Sequence, residues 1–276
     1  FDIGTNAYAR SYLESVYVRP TDSIDVLGNY FIPGWLGGDH ALKFGFKWRN
    51  DIAHSETTYG GKTIARFSSL ATMAASQAQM YRDSITEYEL FNRNLYIQDS
   101  FTRNRMTINF GLRFDYQSDE AHEANVAAHP FYGNATYAGV YNNVTYTGAT
   151  FNQLPALTFP GADSGGVSFQ NWSPRLGFTY DLFGDGRNVF KVNYSRYVSQ
   201  LGSGTLSSTY NTVNTASVRY PWIDVNGDKF VQANEIVLTA TPLTWGGNYN
   251  PNNPTSASSP GTNDPDLKAS TTDEFI

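Results

Sequence analysis

The chain has 276 residues, 19 Lys+Arg against 25 Asp+Glu for a formal charge of -6, no cysteine, 40% hydrophobic and 15% aromatic residues. The apolar content excludes a wholly disordered chain, the missing cysteines exclude disulfides and Cys-based metal sites, and the net acidity argues against a nucleic-acid binder. No apolar run approaches the roughly 18 residues of a transmembrane helix, and length alone allows one large domain or two small ones.

In chain order, Tyr8–Val18 and Ser23–Ile32 are predicted strands. From His40 to Arg49 the alternation is strict: Leu42, Phe44, Phe46 and Trp48 share one face, and Lys43, Gly45, Lys47 and Arg49 the other. Period 2 is the geometry of an extended chain, in which successive side chains point to opposite sides. Residues Ser68–Gln79, rich in Ala, Met and Gln, suggest a short helix. Ile85–Phe101 is a long predicted strand. Arg105–Tyr116 alternates again, with Met106, Ile108, Phe110, Leu112, Phe114 and Tyr116 opposite Arg105, Thr107, Asn109, Gly111, Arg113 and Asp115. Arg175–Leu182 and Phe190–Ser195 repeat the pattern around a Gly-Asp-Gly turn, and Asp273–Ile276 opens a further strand, for about eight in all. The chain starts at Phe1 without Met and stops within a predicted strand, so both ends are expected to be those of an excerpt.

Connections alternate in length. Pro33–Asp39, Thr102–Asn104 and Phe183–Asn188 are short, whereas about 50–81, 117–172 and 200–272 are long and polar. Short turns at one end of the strands and long loops at the other are the signature of an outer-membrane barrel. One-sided alternation also marks a soluble β-sandwich. The fold class expected is all-β: an antiparallel transmembrane β-barrel, of which residues 1–276 form part of the wall, with long extracellular loops.

Particular phrases sharpen this. Leu95-Tyr96-Ile97-Gln98-Asp99-Ser100-Phe101 followed by Gly111-Leu112-Arg113-Phe114-Asp115-Tyr116, then the hairpin from Ser173 to Gly186, then Asp264-Pro265-Asp266-Leu267-Lys268 before Thr272-Asp273-Glu274-Phe275, resemble successive hairpins of TonB-dependent outer-membrane receptors. The nearest resemblance is to their Oar-like branch, and it covers about Ser23 to the end. It implies a 22-stranded barrel closed by an N-terminal plug in the bacterial outer membrane, contacting its lipid. It further implies uptake of a bulky extracellular ligand, such as a carbohydrate or peptide, energised by TonB acting on the plug. The sequence holds no plug, TonB box or terminal aromatic, so it corresponds to about a third of such a barrel.

The sharpest local motif is Asp224-Val225-Asn226-Gly227-Asp228-Lys229-Phe230-Val231-Gln232-Ala233-Asn234-Glu235. Asp224, Asn226, Asp228, Phe230, Gln232 and Glu235 occupy positions 1, 3, 5, 7, 9 and 12 of an EF-hand type calcium loop, which wraps a hard cation in six to eight oxygens. Lys229 stands where that loop places Gly, and flanking helices are absent from the pattern. A polar turn is the plain reading of the same residues. Asp119-Glu120-Ala121-His122-Glu123, with His129 beyond, mixes His and carboxylates as transition-metal sites do. Its spacing matches no known motif, and it reads as a solvated acidic loop. There is no Gly-x-Ser-x-Gly, P-loop or His-Glu-x-x-His arrangement, so no enzyme is expected. Loop aromatics including Tyr132, Tyr137, Tyr141, Tyr146, Phe151, Tyr210, Tyr220 and Trp222 fit either ligand contact or loop packing. Two rival functions remain open: a calcium-stabilised surface adhesion barrel without transport, and a soluble glycan-binding sandwich.

Overall fold

The computed structural model describes residues 1–9, 12–130, 133–141, 144–161, 167–202, 216–238, 242–246, 249–256, 264 and 266–276, with side chains left aside over 131–152. The first strands are β1 (Leu13–Val18), β2 (Thr21–Ile32), β3 (Asp39–Tyr59), β4 (Thr63–Phe67), β5 (Ala75–Arg82), β6 (Ser84–Arg103), β7 (Met106–Ala121) and β8 (Ala124–Val126). They are followed by β9 (Gly133–Tyr141), β10 (Val144–Asn152), β11 (Leu157–Phe159), β12 (Ser168–Asp181), β13 (Val189–Val198), β14 (Ala216–Pro221), β15 (Thr244–Gly246) and β16 (Thr271–Phe275).

A single antiparallel wall holds β1, β2, β3, β6, β7, β12, β13 and β16. Val18 pairs with His54 and Thr21 with Asp51, so β1 and β2 keep one register along β3. Pro20 interrupts that ladder because proline has no N–H, although its carbonyl still accepts the Ile52 amide at 3.0 Å. The eight-stranded sheet is therefore seven strands across. The other described sheets are one of four strands and two of two strands.

Register aligns the apolar residues into rows. Val26, Phe46, Leu95, Phe114 and Trp172 are successive cross-strand partners. So are Phe101, Ile108, Phe178 and Val192. Phe46, Leu95, Phe110, Trp172, Leu176 and Phe190 stand largely exposed on this face. A contiguous exposed apolar surface of this extent is foreign to a monomer in water but is what a barrel presents to lipid.

The short connections lie at one rim. Gly34 precedes and Gly37 ends a 3-10 turn at Trp35–Gly37, and they hold φ of 69° and 79°, a region open to glycine without strain. Between β12 and β13 the Asp181 carboxylate accepts the Gly184 and Gly186 amides at 2.9 Å each, which closes that turn.

At the opposite rim the strands run further than alternation alone predicts. β3 continues to Tyr59, β7 to Ala121, and β12 begins at Ser168. At a rise of about 3.3 Å per residue, the 21 residues of β3 reach about 70 Å, far past the 9–11 residues that cross a bilayer. The three long connections fold on top. β4 and β5 from the first pair with β14 and β15 from the third in a four-stranded sheet, ordered β15-β14-β5-β4. The short helix expected over Ser68–Gln79 is corrected: the chain turns, then enters β5 at Ala75. Pairing of β5 with β14, as in Met80 opposite Val218, outweighs the local helix propensity of Ala, Met and Gln.

Lumenal wall, outer cap and candidate calcium loop

The face opposite the lipid rows carries Lys43, Lys47, Arg49, Arg113, Arg175 and Lys191 among Asn, Ser, Gln and Gly. Its cations are paired locally: Lys47 with Asp25 at 3.2 Å, Arg49 with Asp51 at 2.8 Å, and Arg113 with Asp115 at 2.7 Å. Arg175 lies over the Tyr197 ring, 5.5 Å from its centroid. The Lys47–Asp25 pair is exposed and adds little stability, while Asp51 and Asp115 are more buried than their arginines. The consequence of these pairs is a polar, hydrated surface, which is what the interior of a wide barrel requires. Arg113, Arg175, Tyr197 and Gln200 line a shallow polar recess of about 240 Å³.

Above the wall, the four-stranded sheet has its own core. Phe67, Met80, Val218, Trp222, Ile236 and Leu238 are buried together with Leu154, contributed by the second long connection. All three connections thus share one apolar centre. Tyr220 and Trp222 belong to it, 3% and 2% exposed, so these two rings pack the cap and are not free to stack on a ligand. The side chains of Tyr132, Tyr137, Tyr141, Tyr146, Phe151 and Tyr210 lie outside the described residues. His129 is buried where its Nε2 faces the Lys62 carbonyl at 3.1 Å, and burial lowers its pKa to about 4. Asp119, on the lumenal side of the upper wall, is driven the other way: burial raises its pKa to about 6, partly offset by the Val167 amide.

The predicted calcium loop leaves the cap sheet directly after β14. It is entered by a strand and left through a 3-10 turn at Ala233–Glu235, in place of the helix pair of an EF-hand. Carboxylate oxygens of Asp224, Asp228 and Glu235 lie within 4.8 Å of one another. Asn226 Oδ1 accepts the Asp228 amide at 2.9 Å, Asp228 Oδ1 accepts the Phe230 amide at 2.8 Å, and Gln232 Nε2 donates to Asp228 Oδ2 at 2.5 Å. Glu235 is 1% exposed and accepts from Val225 N at 3.0 Å and Trp222 Nε1 at 3.1 Å. The Lys229 backbone adopts φ of 67°, the left-handed turn that glycine ordinarily supplies. Its ammonium folds back to 2.9 Å from Asp224 Oδ2 and holds that carboxyl below its usual pKa. The other oxygen, Asp224 Oδ1, is buried with no hydrogen-bond partner among the described residues.

The acidic segment with His122 is only partly a loop, since His122 and Glu123 alone link β7 to β8. Asp119, Glu120 and Ala121 are the last residues of β7, and Glu120 pairs with Glu89 of β6. His122 and His129 do not share a site, since His129 is held by Lys62 and Thr63.

Comparison with family models finds a match over residues 19–275 to the model described as "Outer membrane beta barrel domain". Comparisons with curated proteins and with solved structures returned no match.

Proposed function

Because the chain belongs to the outer membrane beta barrel domain family, and so resides in the bacterial outer membrane against its lipid, we propose that it is wall and outer cap of a TonB-dependent, Oar-like transporter. The observation that carries this reading is the placement of the resembling segments. Leu95–Phe101 and Gly111–Tyr116 are paired along β6 and β7, with Tyr96 opposite Arg113 and Ile97 opposite Leu112. The Ser173–Gly186 segment forms the next hairpin in the wall, on β12 and its turn. A wall seven strands across, with β1–β2 and β16 as its outer strands, fits about a third of a 22-stranded barrel. Ligand capture falls to the folded cap, and the polar lumenal face keeps a wet route once a plug is withdrawn. The full-length protein in detergent is expected to retain the purified periplasmic domain of TonB, and to lose it when the segment preceding the barrel is deleted. Absence of association in the intact protein removes the transport reading and leaves an adhesion barrel.

We also propose Ca²⁺ as the occupant of the 224–235 loop, on the strength of converging Asp224, Asp228 and Glu235 carboxylates and a buried Asp224 Oδ1 that has no hydrogen-bond partner among the described residues. The Lys229 ammonium competes with the ion for Asp224, which places affinity in the weak extracellular class, about 10⁻⁴–10⁻³ M. Calorimetric titration is expected to show tighter binding in Lys229→Gly and none in Asp224→Asn. Equal heats for Asp224→Asn and the unaltered protein would dispose of the site.

A further inference from the structure

We propose a second metal site, for a d-block divalent cation of the Zn²⁺ class, on the outer face of the upper wall, built from His122, Glu89 and Glu120. Three observations converge. Glu89 and Glu120 are direct cross-strand partners, an arrangement of like charges that calls for a positive charge between them, whether the His122 ring or a metal ion. His122 Nε2 lies 3.1 Å from Glu89 Oε2 and 3.9 Å from Glu120 Oε1. Ligand atoms about 2.0–2.1 Å from a tetrahedral zinc are separated by about 3.3 Å, between those two values. The set is therefore near the size such an ion needs, with small side-chain adjustment.

The surrounding groups are those of a metal centre. His122 Nδ1 faces Glu87 Oε1 at 3.1 Å, and the other oxygen of Glu87 lies 2.8 Å from His54 Nδ1. Both ring nitrogens of His122 thus face carboxylates. Two arrangements satisfy both contacts: an imidazolium that donates from each nitrogen, and a neutral ring that donates from one nitrogen and gives the lone pair of the other to a metal ion. With Nδ1–H donated to Glu87, Nε2 presents its lone pair toward Glu89 and Glu120. A histidine ligand oriented by a carboxylate behind it is the usual outer arrangement of zinc sites. Asn50 Nδ2 donates to the second oxygen of Glu89 and orients that ligand too. Mixed imidazole and carboxylate donors select a transition metal over Ca²⁺, which wants six or more oxygens.

The site lies two side-chain rows beyond Trp48, Arg93 and Tyr116, on the same outward face as the lipid rows. It is therefore above the apolar band, beside the head-group layer, with a fourth coordination position open to water. It is separate from the calcium loop, which draws on the 221–235 segment of the cap.

The test is zinc titration of the full-length protein, stripped with chelator and kept in detergent, against a chromophoric competitor. One saturable site is expected. Glu89→Gln combined with Glu120→Gln is expected to abolish it, and Glu87→Gln, which leaves every direct ligand in place, to weaken it about 10–100-fold. Asp224→Asn is expected to leave it unchanged. An unaltered heat-denaturation midpoint without metal establishes that each variant is folded. Absence of saturable binding in the intact protein, or unchanged binding in the double variant, overturns the proposal.

Discussion

Leu95→Arg is expected to lower the stability of the full-length barrel in lipid vesicles by about 2–4 kcal/mol, measured by denaturant titration, the cost of an arginine near the bilayer midplane. Asn109→Arg, on the lumenal face, is expected to fall within about 0.5 kcal/mol of the unaltered protein, as surface substitutions do. Leu95 is the sharper probe because of its surroundings. Its cross-strand partners are Phe46 and Phe114, and its same-face neighbours along β6 are Arg93 and Ile97. None of these neighbours is a carboxylate that could receive a new guanidinium, and Arg93 repels it. Phe110 looks equivalent in the alternation but is not, because it is paired across the ladder with Asp99. Asp99 Oδ2 already meets His40 Nδ1 at 2.6 Å, within a covering of Trp35 and Phe101. An arginine at Phe110 has a partner waiting and is expected to cost less than one at Leu95. Equal tolerance of arginine at Leu95 and Asn109 would reverse the assignment of the two faces.

The wall was legible because its information is local. An apolar residue at every second position marks a strand with one buried or lipid-facing side, and each short hairpin turn sets the register of the next strand. That signal stops where the strands leave the apolar band. Along β3 the outward residues above Trp48 are Asn50, Ile52, His54 and Glu56, which alternate in nothing the eye can follow. Their strand is held by pairing with β6, from Asn50 opposite Phe91 to Thr57 opposite Ser84. The cap was illegible for a stronger reason. Met80 and Val218 meet from connections far apart in sequence, and no property of either segment names the other. The calcium loop was legible as a contiguous 12-residue spacing, but the return of the Lys229 ammonium to Asp224 was not. The zinc cluster is the opposite case. Read along the chain, Glu120 and His122 are an acidic stretch, and only the β6–β7 register brings Glu89 and Glu87 beside them.

Trp222→Ala is expected to destabilise the outer cap by about 3–5 kcal/mol, the range for removing a fully buried aromatic from a packed core. The indole is 2% exposed and meets Phe67 edge-on with ring centroids 5.5 Å apart. Around it lie Met80, Leu154 and Ile236, one from each of the three long connections, so no single loop can close the void alone. A second loss follows through Nε1, which donates to the buried carboxylate of Glu235. Trp222→Phe isolates that part: much of the ring volume stays, and the Glu235 carboxylate keeps the Val225 and Gln232 amides, so the lost charged hydrogen bond costs about 1–2 kcal/mol. Hydrogen exchange is the measurement, because wall and cap are separate ladders. Faster exchange is expected in β5 and β14, with β7 and β12 unchanged, since those wall strands pair with each other and not with the cap. Added Ca²⁺ stabilises whichever state binds it, by an amount set by concentration over Kd. In the unaltered protein it should therefore slow exchange in β14, and in Trp222→Ala that protection should shrink, because Glu235 has lost its buttress. Acceleration spread evenly through wall and cap would mean that the cap is not a cooperative unit of its own. Calcium protection undiminished in Trp222→Ala would mean that Glu235 does not need the indole to hold its place.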